Sequence, residues 1–419
     1  MREMMMKLTR RQLLKAGGAM ATAYFLPHRA FAAPAPQKVL VSIFLRGGAD
    51  PLNLVVPAFD STYYTVRPDI AVTAGTELQL GGGDSHGFGL FPMCTGMKAM
   101  YDADELLAIH LAGSPDASRS HFDAQDFMEK AAPGNRSVAD GWLNRYLGVI
   151  GNSNPIAGLS VSAAPQLALR GSVPNVAFAS IDTFQVTGDF AAQRRAALQS
   201  YHQAHSDTLA AGVDAALTAV DIIQGVDTST SVVYPDTSLA SALKDVAAII
   251  KAGIGVKVVA IDSGGWDHHS NLTTQLGQTG GEDGVGKAVE LDGALKAFRD
   301  DLANAGGTNF LDHTLTLCMT EFGRRVAQNG GAGTDHGHGG VMFALGGGIT
   351  GGRLLLANDV WPGLTTPNLY NGEDLQVTTD FRDVFAEGLN VHLGLSVSAM
   401  DPIFPDFRAD AGNFPGLFT

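Results

Sequence analysis

The sequence predicts an α/β fold with a mostly parallel central sheet flanked by helices. Short runs of β-branched and other apolar residues alternate with amphipathic helical segments along the chain, and this alternation is typical of parallel sheets. The runs are apolar at consecutive positions, which indicates strands that are buried on both faces. Glycine-rich polar stretches follow several runs directly, where the ligand site of an open α/β sheet is expected.

The strand prediction depends on five apolar runs and one shorter one. They are Lys38–Leu45, Leu106–Leu111, Leu159–Ala164, Val256–Ile261, Thr314–Met319 and Val341–Leu345. Helical patterns lie between them. These cover Pro92–Glu105, Phe122–Ala132, an alanine-rich region in Gly188–Gly225, Ser238–Lys251, Lys287–Ala305 and a short segment from Asp380. No repeat of fixed period divides the chain, so we expect one domain over residues 38–419.

The first residues are predicted to be an export signal. Thr9–Lys15 contains a twin-arginine pattern, an apolar segment follows to Leu26, and Ala30–Ala32 offers an A-x-A cleavage site. The apolar segment is too short to span a bilayer. We therefore expect a signal peptide at residues 1–32 that is read by the twin-arginine export machinery. The mature protein would have no membrane span and would be periplasmic or secreted.

The mature chain is strongly acidic. The leader holds six of the 28 basic residues and one of the 42 acidic ones, so 22 basic residues face 41 acidic ones, a formal charge of −19. Such a surface repels nucleic acid, which is excluded as a partner. The sequence has two cysteines, Cys94 and Cys318, and no CxxC motif, which argues against zinc bound by thiolates. Cys318 lies in a predicted buried strand, and this favours reduced core thiols over a disulfide.

Chemically active side chains follow four of the predicted strands. Because the carboxyl ends of parallel strands share one edge of a sheet, we expect these side chains to converge. Carboxylate and imidazole groups are ligands for divalent metals, and a cation would offset the repulsion between crowded carboxylates. The candidate metal ligands are Asp50, Asp267, His269, Glu321, Asp335, His336 and His338. The candidate catalytic residues are Ser120, His121 and Arg324.

Several of these residues also have a purely structural interpretation. Asp50 precedes a proline and can form a simple turn. Ser120 can be the N-cap of a helix, with Asp123 completing a variant capping box, or it can be a nucleophile at an anion-binding helix end. His268 is an alternative to His269 as the imidazole that accompanies Asp267.

Six segments carry a family resemblance: RGGADPLNLVVP, SHFDAQDFMEKA, GGWDHHSN, TEFGRR, GTDHGHGG and TTDFRDVFAEGLNVHLG. Together they resemble a twin-arginine-exported bacterial family of unknown function, related to the alkaline phosphatase and sulfatase superfamily. The resemblance implies an alkaline-phosphatase-like domain in which Asp50, Asp267 with His269, and Asp335 with His336 bind metal. It also implies a nucleophile at the amino end of a helix, at Ser120 or His121.

The chain departs from that superfamily in three ways. The spacing inside DHHS, which begins at Asp267, is tighter than the Asp-to-His spacing expected of phosphatases. Glu321 stands directly after its strand, where the superfamily has an Asp-His pair, and Asp335-His336 comes fourteen residues later. The Cys-x-Pro-x-Arg motif of sulfatases does not occur, so a formylglycine nucleophile is not expected.

These observations predict an exported metal-dependent hydrolase of phosphate or sulfate esters, acting on a small-molecule or polymer ester. Zinc is the expected metal, with manganese, magnesium or calcium as alternatives, as one ion or a pair. Ser120 or a metal-bound water would be the nucleophile, and Arg324 or Arg46 would neutralise the remaining charge. The alternative is a non-catalytic envelope or surface-associated protein that retains a sulfatase-like fold. Carbohydrate binding near Trp266 and Trp361 is a third hypothesis, supported by those lone aromatic residues alone.

Overall fold

A computed structural model describes residues 36–81, 87–186, 189–206, 208–280 and 284–419. The predicted signal peptide lies outside the described residues. Residues Pro36–Thr419 form one compact unit. Its strands are β1 (Val39–Leu45), β2 (Val55–Val56), β3 (Leu78–Gln79), β4 (Gly89–Leu90), β5 (Leu106–Gly113), β6 (Gly158–Val161), β7 (Val176–Phe178), β8 (Val258–Ser263), β9 (Thr314–Met319), β10 (Gly340–Gly346), β11 (Leu354–Leu355) and β12 (Thr379–Asp380).

The helices cover both faces of the main sheet. They are α1 (Pro51–Leu54), α2 (Ser61–Val66), α3 (Thr95–Asp102), α4 (His121–Glu129), α5 (Trp142–Val149), α6 (Ala191–Ala204), α7 (Thr208–Gln224), α8 (Ser238–Ala252), α9 (Leu272–Gly277), α10 (Lys287–Ala303) and α11 (Phe381–Glu387). Short 3-10 turns and one π-helical turn at Gly388–His392 complete the regular structure of the described residues.

Nine strands form the central sheet, in the order β11-β5-β10-β9-β1-β8-β6-β7, with β12 also paired to β5. Strand β1 is parallel to both of its neighbours, β8 and β9, and β6 is parallel to β7 and β8. Strand β10 runs antiparallel to both β5 and β9. The prediction of an α/β fold with a mostly parallel central sheet flanked by helices is therefore confirmed.

The antiparallel strand β10 explains how distant residues reach one edge. Because β10 runs against β9, its amino end lies at the edge where the parallel strands have their carboxyl ends. Residues just before Gly340, including Asp335 and His336, therefore return to the edge that Glu321 occupies. The fourteen-residue separation noted in the sequence is the length of this return loop.

Two apolar cores, one on each face of the sheet, hold the helices in place. Alternate residues of β1 point to opposite faces, so Val41 and Ile43 join one core and Leu40 and Phe44 join the other. The first core includes the apolar faces of α8 and α10, and the second includes α5 and α11. Trp142 of α5 stacks on Phe385 of α11 at a ring distance of 4.3 Å.

The structure differs from the sequence prediction in the alanine-rich region. The predicted single helical stretch forms two helices, α6 and α7, because His205 takes an extended backbone conformation that ends the first. Strand bounds agree with prediction to within a few residues, and β9 matches its predicted run completely. Cys94 and Cys318 are buried and unpaired, as predicted. No helix among the described residues is long and apolar enough to cross a membrane.

Candidate metal centre

Three side chains, one from a helix end and two from loops, meet at the carboxyl edge of the sheet. One ligand atom each from His121, Asp267 and His336 lies within 4.8 Å of the other two. His121 opens helix α4, Asp267 follows β8, and His336 lies in the return loop before β10. Gly47, after β1, permits this approach because a Cβ there would lie 2.5 Å from the Asp267 backbone nitrogen, and its φ of +126° suits glycine.

Glu321 determines which ring nitrogen of His121 carries the proton. The Nδ1 atom of His121 lies 2.8 Å from Glu321 Oε1, which also accepts hydrogen bonds from the Gly47 amide and from Gln125 Nε2, each at 2.8 Å. Burial alone would raise the pKa of Glu321, but the hydrogen bonds from His121 and Gln125 lower it. A carboxylate cannot donate, so Nδ1 carries the proton, and in the neutral ring Nε2 is left with a lone pair.

A backbone carbonyl fixes the proton of His336 in the same way. The Nδ1 atom of His336 donates to the carbonyl oxygen of Arg119 over 2.8 Å. Burial lowers the pKa of His336, which favours the neutral ring. Its Nε2 atom then presents a lone pair toward Asp267 Oδ1 at 3.2 Å.

Asp267 is held as an anion between these two rings. Its Oδ1 accepts from Arg324 Nη2 at 2.6 Å, and its Oδ2 lies 3.4 Å from His121 Nε2. Although burial alone would raise its pKa, the hydrogen bond and charge of Arg324, together with His336 and His269, outweigh that effect, and the pKa of Asp267 is lowered to about 2. The carboxylate is therefore ionised at neutral pH and has an oxygen facing each imidazole.

His269 borders the cluster as a fourth candidate ligand. Its Nε2 atom lies 2.9 Å from Asp267 Oδ1 and 3.0 Å from His336 Nε2, and its Nδ1 atom lies 3.5 Å from Asp335 Oδ1. Asp335 is half exposed and accepts from Asn329 Nδ2 at 3.2 Å. Asp335 thus contacts the imidazole of His269 but does not belong to the three-residue cluster.

The arrangement fits a bound divalent cation. Both histidines have their Nδ1 protons committed to outside acceptors, so their Nε2 lone pairs and the Asp267 carboxylate face one another as acceptors. The Nε2 atom of His121 is buried and has no hydrogen-bond partner among the described residues. The hydrogen bond to Glu321 raises the pKa of His121, so a cation that binds at Nε2 would compete with a proton for the same lone pair. A neutral ring oriented by a hydrogen bond from its other nitrogen is the usual form of a histidine metal ligand.

The structure places Asp50 outside this cluster. Its carboxylate forms a buried ion pair of 2.8 Å with Arg67 Nη1 and accepts from the Asn53 amide at 2.8 Å as the N-cap of α1. Its other oxygen lies 3.4 Å from the Thr334 hydroxyl. The turn anticipated as the simpler interpretation is therefore present, and the charge of Asp50 is neutralised by an arginine.

Three further predicted residues occupy supporting or separate positions. Glu321 contacts His121 rather than the convergence point. Arg324 is fully buried and donates to Asp267 and to the carbonyl oxygens of Gly47, Gly48, Trp266 and Thr334. His338 is buried against the ring of Tyr370 at 4.5 Å and is not brought to the cluster. Arg324 therefore holds the loops after β1 and β8 together.

Ser120 occupies the N-cap position of α4, as predicted, but its side chain makes no capping hydrogen bond. The side chain is exposed and directly precedes His121.

His268, the alternative to His269, is buried beside Trp266, and burial lowers its pKa to about 4. His268 is therefore a neutral, buried ring in the loop that follows β8.

Sequence reasoning missed two residues that support the cluster. Gln125 lies one helical turn after His121 on the same face of α4, so helical periodicity could have identified it. The carbonyl of Arg119 orients His336, and a backbone contact of this kind leaves no sequence signal. The side chain of Arg119 is in turn fixed by an ion pair with buried Asp374.

Comparison with known proteins gives a family and a distant structural likeness. This chain aligns with the crystal structure of a phosphonate monoester hydrolase of Agrobacterium radiobacter at a TM-score of 0.32 and 12% sequence identity. The alignment covers 86% of this chain and 74% of the hydrolase chain. That score is too low to bear on the function of this chain. A search among curated proteins gives no match.

A family model described as "Protein of unknown function (DUF1501)" matches residues 83–404, which is most of the chain. The match includes His121, Asp267 and His336. The predicted resemblance to a family of unknown function is confirmed at this level, and the chain belongs to the DUF1501 family.

Proposed function

We propose that this protein is an exported, metal-dependent hydrolase of phosphate or sulfate esters. The observation that carries the proposal is the convergence of His121 Nε2, His336 Nε2 and the Asp267 carboxylate on one point at the carboxyl edge of the sheet. That edge is where open α/β sheets bind their ligands. Export by the twin-arginine route rests on the leader sequence alone.

The proposed ligands are His121, Asp267 and His336, with His269 beside them. Two imidazoles and a carboxylate favour zinc over calcium or magnesium, which prefer all-oxygen sites. A divalent ion bound there would supply Lewis-acid polarisation of the ester oxygens. Because Asp50 is paired with Arg67, the geometry favours one ion over a pair.

The surrounding residues keep the ligands in their binding form. Glu321 holds the Nδ1 proton of His121, the Arg119 carbonyl holds that of His336, and Arg324 keeps Asp267 ionised and oriented. These contacts fix both rings before any ligand arrives, so little ordering is needed on binding.

Ser120 is the proposed nucleophile. It lies at the amino end of a nine-residue helix, next to a proposed ligand, and its hydroxyl is not used as a cap. Attack by Oγ would form a bond to phosphorus or sulfur as the bond to the alcohol oxygen breaks, and the alcohol leaves with a proton. A water molecule would then hydrolyse the ester formed on Ser120 and restore the hydroxyl.

The test is turnover of chromogenic esters by the mature protein supplied with zinc, manganese or magnesium. We expect release of p-nitrophenol from the phosphate monoester, the phosphate diester or the sulfate, with strong loss in Asp267→Asn and Ser120→Ala. Asp401→Asn is the matched control, because Asp401 is exposed and is not part of the three-residue cluster. A metal-loaded protein that turns over none of the three esters would contradict the proposal and would favour the non-catalytic alternative.

A further inference from the structure

A groove of about 570 Å³ lies beside the three-ligand cluster. The residues that line it include Arg46, Phe122, Gln125, Glu129, Arg170 and Asp262. Phe122 directly follows His121 in α4, and Gln125 also donates to Glu321, the residue that orients His121. The groove therefore shares helix α4 with His121, although none of the three proposed ligands lines it.

The charges of the groove are paired with one another. Arg46 lies 3.0 Å from Glu129 Oε2 and 2.8 Å from Asp262 Oδ1, and it donates to Gln125 Oε1 at 3.0 Å. With Arg170 and Asp126 included, the lining carries two positive and three negative side chains, so the groove does not favour an anionic ligand. It instead presents donors and acceptors side by side, which suits a neutral group that both donates and accepts hydrogen bonds.

Phe122 adds an apolar ring to this polar groove. Its side chain is 90% exposed. Covering a phenylalanine ring with a ligand lowers the free energy, because apolar surface is removed from water. Trp266, considered from sequence as a carbohydrate-binding residue, is fully buried and cannot serve. An exposed aromatic ring beside amide, carboxylate and guanidinium groups matches a ligand with apolar C–H faces and polar edges.

We propose that the groove binds a carbohydrate, so that the substrate is a phosphate or sulfate ester of a sugar or oligosaccharide. The proposal rests on the proposed hydrolase for the position of the ester group. The sugar ring lies against Phe122, and its hydroxyl groups exchange hydrogen bonds with Gln125, Asp262 and Arg46. A lipid chain is disfavoured because charged and amide side chains line the groove beside its apolar residues, and a polyanion is disfavoured because the groove carries no excess of positive charge.

The test measures sugar binding separately from hydrolysis. Maltotetraose, cellotetraose and chitotetraose, which carry no ester, are titrated into the mature protein and binding is followed by calorimetry or ligand-observed NMR. We expect at least one to bind, with a dissociation constant that rises about tenfold in Phe122→Ala and is retained in Phe122→Tyr, which keeps the ring. Val233→Ala, at a site that is 89% exposed and outside the groove, is the control and should bind as the wild type does.

The outcomes separate this inference from the proposed activity. If none of the three tetrasaccharides binds, or if binding is insensitive to Phe122→Ala, the carbohydrate proposal is overturned even when p-nitrophenyl esters are hydrolysed. Binding of adenosine in place of the tetrasaccharides would also overturn it, because the ring would then stack on a nucleobase. Sugar binding without ester turnover would uphold the groove and contradict the hydrolase.

Discussion

Glu321 offers the sharpest test of how the metal centre is organised. The change Glu321→Gln preserves shape but removes the negative charge that three donors share. Those donors, from His121, Gln125 and Gly47, each lie 2.8 Å from Oε1. With the amide oxygen in the Oε1 position all three bonds can persist, so we expect the variant to fold.

The expected cost follows from the loss of charge assistance. A hydrogen bond to a charged group contributes about 1.5–3 kcal/mol and a neutral one about 0.5–1.5 kcal/mol. Three weakened bonds therefore lower the free energy of unfolding by about 3 kcal/mol. The same change weakens the orientation of His121, and loss of such an outer contact lowers metal affinity by about 10–100-fold.

Two measurements on one protein separate these effects. Urea denaturation of the metal-free protein gives the stability change, and zinc titration against a competing chelator gives the affinity change. Glu105→Gln is the matched control, because Glu105 pairs with Arg299 at the opposite end of β5 and is partly exposed. The control should lose at most about 1 kcal/mol of stability and no zinc affinity. Wild-type zinc affinity in Glu321→Gln, together with lower stability, would refute the orienting role.

Three further changes test other parts of the structure. Arg67→Met leaves the buried carboxylate of Asp50 without its partner and should lower the free energy of unfolding by about 3–5 kcal/mol in urea, while zinc affinity measured on the folded fraction stays unchanged. A gain in zinc affinity, or a second bound ion, would reinstate Asp50 as a ligand. Gly333→Ala should disturb the site, because its Cβ would lie 2.2 Å from the carbonyl carbon of His269, and a wild-type affinity for zinc in this variant would contradict that contact. Burial lowers the pKa of His110 to about 4, below its unfolded value of about 6.5, so its neutral form stabilises the fold above pH 6.5 and that contribution is lost as the pH falls toward 4. Urea midpoints at pH 7 and pH 4.5 should therefore differ less in His110→Gln than in the wild type, and an equal difference would be inconsistent with this assignment.

The strands of the central sheet could be read from sequence because each is an unbroken apolar run. Thr314–Met319 and Val39–Leu45 are buried on both faces, so no alternation hides them. The direction of β10 could not be read in this way, since an apolar run has the same pattern in parallel and antiparallel pairs. Its antiparallel pairing, not its composition, returns His336 to the site.

The site was predicted in outline but not in its pairings. Asp267 and His336 were predicted as metal ligands, and His121 as a catalytic residue, because strand ends converge in an α/β sheet. The partner of Asp50 was missed because Arg67 lies in a polar loop, and an ion pair between such distant positions leaves no local pattern. Glu321 was predicted as a metal ligand, but in the structure it orients His121. Only the fold shows that its carboxylate contacts His121 Nδ1.

The central claim is that His121, Asp267 and His336 together hold one divalent ion. The most direct measurement is the zinc content of the protein without its predicted leader, after loading and exhaustive dialysis, determined by mass spectrometry. We predict one zinc ion per wild-type chain, a loss of bound zinc in Asp267→Asn and His336→Ala, and full retention in His205→Ala, where an exposed histidine is removed. Equal zinc content in wild type and His336→Ala, or no retained zinc in the wild type, would contradict the account.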